Sequence, residues 1–334
     1  MSIIYFLNEI FNSLPFVINP KKCALFFLSQ HLNIHMYWWF ILALLASILW
    51  GVAVIVDKFV LTHYIKDAFS YQIFMAIPLI APVLVLFTFA SFHDYLAFYL
   101  IILVTGMILG LMFVLYNKAL LIEEVSRVTP LFYLTPLFVL LFSSIFLGER
   151  LSQNEYLGFG LLIISAILVS FRNSELKYMA LSPALLLILA LDLIMAGKDV
   201  IAKYMFSYID FWSFLFCFML GELIVRPLLL FSPAIRRKFI ADIKPVPLGI
   251  YALCLINCSI VCIGYVLYFD AVSRTYVALV SAIPSAQPFF VLLFAIMLTV
   301  FYPKLLNESL ERRGMIIKAI AALIILIGSY LIVS

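Results

Sequence analysis

The chain of 334 residues is 66% hydrophobic and 16% aromatic but only 11% charged, with a mean hydropathy of +1.20, whereas soluble domains carry about 25% charged residues. That excludes a water-soluble fold, and about 220 apolar residues at about 20 per crossing supply roughly ten spans with little left for a catalytic domain outside the membrane. The net charge of +4 comes from 21 basic and 17 acidic residues scattered singly or in threes, so there is no continuous basic face for nucleic acid.

Residues 1–35 do not read as a signal peptide. They lack a basic cluster and a small-residue cleavage site, and Asn8, Glu9, Asn12, Pro15, Asn19 and Pro20 interrupt the apolar stretch. Met36-Tyr37-Trp38-Trp39 then opens the first span with an aromatic interfacial anchor. Residues 1–35 are thus either a leader outside the working fold or a short interfacial helix.

Apolar runs long enough to cross a bilayer follow at 37–57, 69–91, 95–117, 127–147, 153–171, 178–200, 209–231, 246–269, 276–301 and 314–333. The connections are short, the longest being a basic loop from Ser232 to Pro245 with Arg236, Arg237, Lys238 and Lys244. Connections after the odd-numbered spans hold 13 Lys and Arg against 5 on the other side. By the positive-inside rule the first group faces the cytoplasm and both termini lie outside. Cys254, Cys258 and Cys262 recur every four residues on one helix face, where thiols serve as small packing groups. No disulfide framework, metal site or cofactor motif is expected.

Laying 114–142 over 266–294 without a gap gives 12 identities in 29 columns, among them Val-Leu-Tyr at 114–116 and 266–268, Pro136 with Pro288, and Phe-Val-Leu-Leu-Phe at 138–142 and 290–294. Trp50 through Phe59 also aligns with Met195 through Tyr204, making Lys58 equivalent to Lys203. The chain therefore reads as a duplicated unit, 36–172 and 173–334. Five spans per unit is an odd number, so the copies are expected to be inverted, with a site near the midplane between them.

Thr129-Pro130 through Pro136-Leu137-Phe138, then Phe146-Leu147-Gly148-Glu149-Arg150-Leu151-Ser152 and Gly158/Gly160, resemble the Pro-containing fourth helix, the turn and the closing helix of EamA-type permeases in the drug/metabolite transporter superfamily. Leu-Leu-Ala-Ser-Ile-Leu-Trp-Gly at 44–51 is similar to that family's first helix. The chain departs in having 12 glycines, in Asn307-Glu308 where the first half has Gly148-Glu149, and in the added Tyr302-Pro303-Lys304. The resemblance implies an all-α integral membrane fold in which spans one to four and six to nine enclose a central cavity while five and ten lie at the periphery. It also implies transport of metabolites or drugs by a gradient or by exchange.

Charge at membrane depth is expensive and faces a cavity or a partner. On the sixth span Asp192, Ala196, Asp199 and Lys203 share one face, with Lys198 about 100° away. Asp192 or Glu222 either takes up and releases a proton, or is fixed in an internal pair, Asp192 with Lys198 or a neighbouring helix and Glu222 with Arg226. Lys58 and Lys203 either contact an anionic substrate group from opposite sides or snorkel to the interface. Tyr116 and Tyr268, repeat-equivalent, either stack on a ring or pack in the core. Trp50 and Gln287 complete the candidate cavity, and Pro130, Pro136, Pro284 and Pro288 are candidate gating kinks, each leaving a carbonyl without its helical donor. Asp270 with Arg274, and Glu123 and Glu124 with Arg127, read as loop salt bridges, and Glu149 as a structural cap.

The expectation is a secondary transporter of a small polar or amphipathic metabolite in the inner or plasma membrane, a monomer or homodimer whose partners are the bilayer, the cargo and a coupling proton. The alternative is an integral membrane enzyme or scaffold acting on lipid-linked substrates. Against an enzyme, all four histidines (His31, His35, His63, His93) lie in the leader or at loop ends, and no Cys/His pair or Gly-flanked Ser appears.

Overall fold

The computed structural model describes residues 38–92, 96–122, 135–170, 183–243 and 246–287, and the positions 290, 294, 320, 323–325, 327, 328 and 330–332. All regular elements among the described residues are helical, and residues 39–334 form a single unit.

The first span is α1 (Trp38–His63), which runs past the expected stretch. The second is two helices. Asp67 accepts from the Ser70 N–H at 2.9 Å and caps α2 (Ala68–Phe74), which gives way at Met75 to α3 (Ala76–Phe89). Pro78 explains the break: it lacks the N–H that would bond the Phe74 carbonyl, and its ring crowds that carbonyl. The third span is α4 (Leu96–Ile122). The fourth is described from Thr135 as α5 (Thr135–Phe142), which widens into a π-turn at Ser143–Leu147 and stops at Gly148, whose φ of 69° is a left-handed cap that L side chains avoid. The fifth is α6 (Gln153–Ser170), headed by a capping box in which the Ser152 N–H donates to Glu155 at 2.6 Å and the Glu155 N–H donates to the Ser152 hydroxyl at 3.3 Å.

In the second half come α7 (Pro183–Met205) and α8 (Phe211–Leu228), the latter capped by the Asp210 carboxylate and tightened into a 3₁₀ turn, Leu229–Phe231, after Pro227. The expected loop at 232–245 contains a helix, α9 (Pro233–Ile243). Pro233 at its first position gives up an N–H that has no helical partner anyway. Then follow α10 (Leu248–Arg274) and α11 (Val277–Ala282), which continues as a 3₁₀ turn at Ile283–Ala286.

Five stretches are long and apolar enough to cross a membrane: Trp38–His63, Ala68–Phe89, Leu96–Leu115, Phe211–Phe231 and Leu248–Arg274. The helix α7 matches them in length but carries Asp192, Lys198, Asp199 and Lys203. The fourth, ninth and tenth spans extend outside the described residues.

Packing follows from small residues and large outward ones. On α4 and α8 the backbones approach so closely that a Cβ on Gly106 would lie 2.0 Å from the Phe218 carbonyl oxygen, and one on Gly221 2.1 Å from that of Leu103. Gly106 and Gly110, four residues apart, form a small-residue face that permits this approach. Leu84, Val85, Phe87 and Phe89 on α3 are more than half exposed, a surface suited to hydrocarbon.

Candidate functional site

The buried polar side chains gather where α7, α8 and α10 meet α1, α5 and the α2/α3 break. On α7 the carboxyl of Asp192, fully buried, accepts from the Thr135 hydroxyl of α5 at 2.6 Å, and its second oxygen has no hydrogen-bond partner among the described residues. Two turns on, Lys198 and Asp199 pair at 2.6 Å, and Asp199 also accepts from the Tyr268 hydroxyl of α10 at 2.9 Å. The Lys198 ammonium lies 5.2 Å from the Tyr268 ring centre and 5.0 Å from that of Phe269, within cation–π reach of both. Trp50 of α1 closes the aromatic wall, 5.4 Å from Tyr265 and 5.3 Å from Tyr268. Gly264 makes room for it, since a Cβ there would lie 2.5 Å from the indole nitrogen.

On α8, Arg226 donates to Glu222 at 2.9 Å and to the Met75 carbonyl at 3.2 Å, so it reaches into the break that Pro78 makes in the second span. On α1, Asp57 accepts from the Tyr71 hydroxyl at 2.5 Å and from the Asn257 amide of α10 at 2.6 Å. The cluster thus holds four carboxyls, Asp57, Asp192, Asp199 and Glu222, and two cations, Lys198 and Arg226. Asp199 and Glu222 have cationic partners, whereas Asp57 and Asp192 take their hydrogen bonds from neutral donors.

The structure brings Trp50, Asp192, Asp199, Glu222 and Tyr268 toward this region and leaves other expected residues elsewhere. Lys58 is exposed on α1. Lys203 donates to the carbonyls of Val272, Ser273 and Thr275 at 2.8, 3.3 and 2.7 Å, closing the C-terminal end of α10. Lys198, expected beside Asp192, pairs with Asp199 instead, while Asp192 bonds to Thr135 of a neighbouring helix. Glu222 pairs with Arg226 and Asp270 with Arg274, the latter at 2.9 Å. Pro136 is buried in the first turn of α5, and Pro284 and Gln287 are half-buried in and just after the 3₁₀ turn that follows α11. Pro130 and Pro288, the loop charges at 123–127 and the side chain of Tyr116 on α4 lie outside the described residues.

Reading the sequence alone passed over Asp57, Tyr71, Thr135 and Asn257. Asp57 was hidden by taking the first span to end there, while Asn257, an amide inside an apolar run, carried a usable signal. Glu149, expected as a cap, does cap, but on α11 in the other half: the N–H groups of Val277 and Ala278 donate to its two oxygens at 2.9 and 3.3 Å. Among the described residues no three His, Cys, Asp or Glu side chains are grouped as a metal site.

The family model of the EamA-like transporter family matches residues 37–171. That segment is similar to the family, and the likeness suggests a membrane transporter of the drug/metabolite type. The fold is similar to that of a solved protein whose title reads only "Crystal structure of protein", with a TM-score of 0.62 at 16% identity over 87% of this chain and 94% of that one. No curated protein matches the chain.

Proposed function

We propose that the protein is a secondary transporter, an exporter or exchanger that carries a small polar or amphipathic metabolite across the cell membrane by alternating access between two inverted five-helix repeats, 36–172 and 173–334. The observation that carries this reading is that a set of polar and aromatic contacts runs between the two segments, beside the ion pairs held within the second. Asp57 meets Asn257, Thr135 meets Asp192, the Met75 carbonyl meets Arg226, and Trp50 meets Tyr265 and Tyr268. Each polar bond among them contributes about 0.5–3 kcal/mol net, a size that holds an interface and still lets it open.

In this reading the cargo lies against the Lys198–Asp199 pair and the Trp50/Tyr268 wall, and Asp192, whose second oxygen has no partner, takes the coupling proton. The test is thermal stability of the purified protein against amino acids, nucleotides, nucleotide sugars and aromatic cations, followed by counterflow in proteoliposomes with the class that binds. A ligand of the folded state at 100 times its Kd stabilises by about 2.7 kcal/mol. Counterflow that is lost in Lys198→Met with Asp199→Asn, which leaves no uncompensated buried charge, supports the reading. Binding without counterflow in the unaltered protein overturns it in favour of a membrane enzyme or scaffold.

A further inference from the structure

An apolar groove of about 240 Å³ runs along the outside of α3 and α8, lined by Ile73, Ala76, Ile77, Leu223, Pro227 and Phe239. Its polar end is α9. This helix is short and has no buried residue. It presents Arg236 and Arg237 outward beside Phe239, which lines the groove, and Ile240, 48% exposed. Arg236 and Phe239 are three apart and share a face. Among the described residues neither arginine has a hydrogen bond or ion pair through its side chain. Lys238 does, to Asp67 at 2.6 Å, and Asp67 at the same time caps α2, so α9 is fixed over the end of the groove. The flanks, Phe231 at 80% and Leu248 at 83% exposed, place the level of α9 beside apolar surface, where a basic amphipathic helix lies in the membrane interface.

We infer that this groove is a binding site for an anionic phospholipid, one acyl chain lying between α3 and α8 and the phosphate held by Arg236 and Arg237. Charge complementarity selects this occupant. A zwitterionic lipid would fill the groove as well and offers the same phosphate oxygens to the forked donors, but its ammonium cancels the phosphate charge, so an anionic lipid gains more from two unpaired guanidinium groups. The inference is independent of the cargo and holds whether or not the chain transports.

The full-length protein in neutral detergent is titrated with dioleoyl phosphatidylglycerol, dioleoyl phosphatidylcholine or glycerol phosphate, with bound lipid read by native mass spectrometry. Phosphatidylglycerol is expected to bind at one per chain, with phosphatidylcholine weaker and glycerol phosphate not retained. Arg236→Gln with Arg237→Gln, both exposed, lowers its affinity by about 30-fold, the ratio that two surface arginines at about 1 kcal/mol each amount to. Ala76→Phe, which fills the groove and spares the arginines, lowers it too. A second variant, Leu223→Phe, checks this should Ala76→Phe not fold. Equal binding of the two lipids, retention of glycerol phosphate, or affinity unchanged in the arginine pair or in a folded groove variant overturns the site.

Discussion

Lys198 and Asp199 are neighbours in sequence and partners in space, each about 3% exposed, which makes their pair a sensitive point in the molecule. Breaking a buried pair leaves an uncompensated charge, whereas replacing both members leaves none. Lys198→Met should therefore destabilise the protein by about 3–5 kcal/mol in a denaturant titration, and Lys198→Met with Asp199→Asn by much less, the Tyr268 hydroxyl still having an acceptor. If the two effects simply add, the pair is not coupled. Asp192 makes a different prediction. Among the described residues its hydrogen bond comes from the Thr135 hydroxyl, and an amide oxygen accepts that bond equally well. Asp192→Asn should leave stability within about 1 kcal/mol and abolish the pH dependence of transport in proteoliposomes. Retained pH dependence would move the proton to another carboxyl.

Two elements owe their position to a single local device. The helix α9 is held to α2 by Asp67 and Lys238. Burial works to raise Asp67, but its bonds with Lys238 and the Ser70 N–H outweigh that and hold it below its ordinary value, while the same pair lifts Lys238 above its own. A lowered acid contributes above its unfolded value of about 3.9 and is lost as pH falls through the folded one. A raised base contributes below about 10.4 and is lost as pH rises through its folded value. The clamp should thus hold between roughly pH 4 and 10, and with Lys238 more than half exposed it contributes no more than about 1 kcal/mol. Hydrogen exchange of α9 in Asp67→Asn should rise several-fold with the rest of the chain unchanged. The contact between α4 and α8 is the other device, and Gly221→Ala should cost about 1–3 kcal/mol in thermal unfolding by pushing the helices apart. The face that α4 brings to this contact, Gly106 and Gly110, is legible in the sequence because spacing alone decides it. The break at Met75 and the helical nature of α9 are not, because hydropathy registers neither a proline's effect on its neighbour's carbonyl nor an interfacial helix too polar to span.

Across the whole molecule, composition dictated the class, since a chain this apolar has only helices or a closed barrel available in lipid, and the odd-numbered repeat pointed to where the halves should meet. The partners across that meeting were not legible. Asp57 to Asn257 and Thr135 to Asp192 are long-range pairings of residues with no sequence relation, chosen by packing. Those pairings set a prediction about motion. If the halves rock, the Asp57–Asn257 bond must break in the open state, and it lies beside Cys254 and Cys258, both buried. A hydrogen bond to a charged group contributes about 1.5–3 kcal/mol, so Asn257→Leu should raise the open population, and with it the rate at which a maleimide labels Cys258 as the sole cysteine, by about ten- to a hundredfold. Lower concentrations of cargo should reverse the increase less than saturating ones, because a ligand of the closed state draws the population back in proportion to its occupancy. Labelling that is unchanged by Asn257→Leu, in a variant with an unaltered unfolding temperature, would mean that α1 and α10 move as one body and that the opening lies elsewhere.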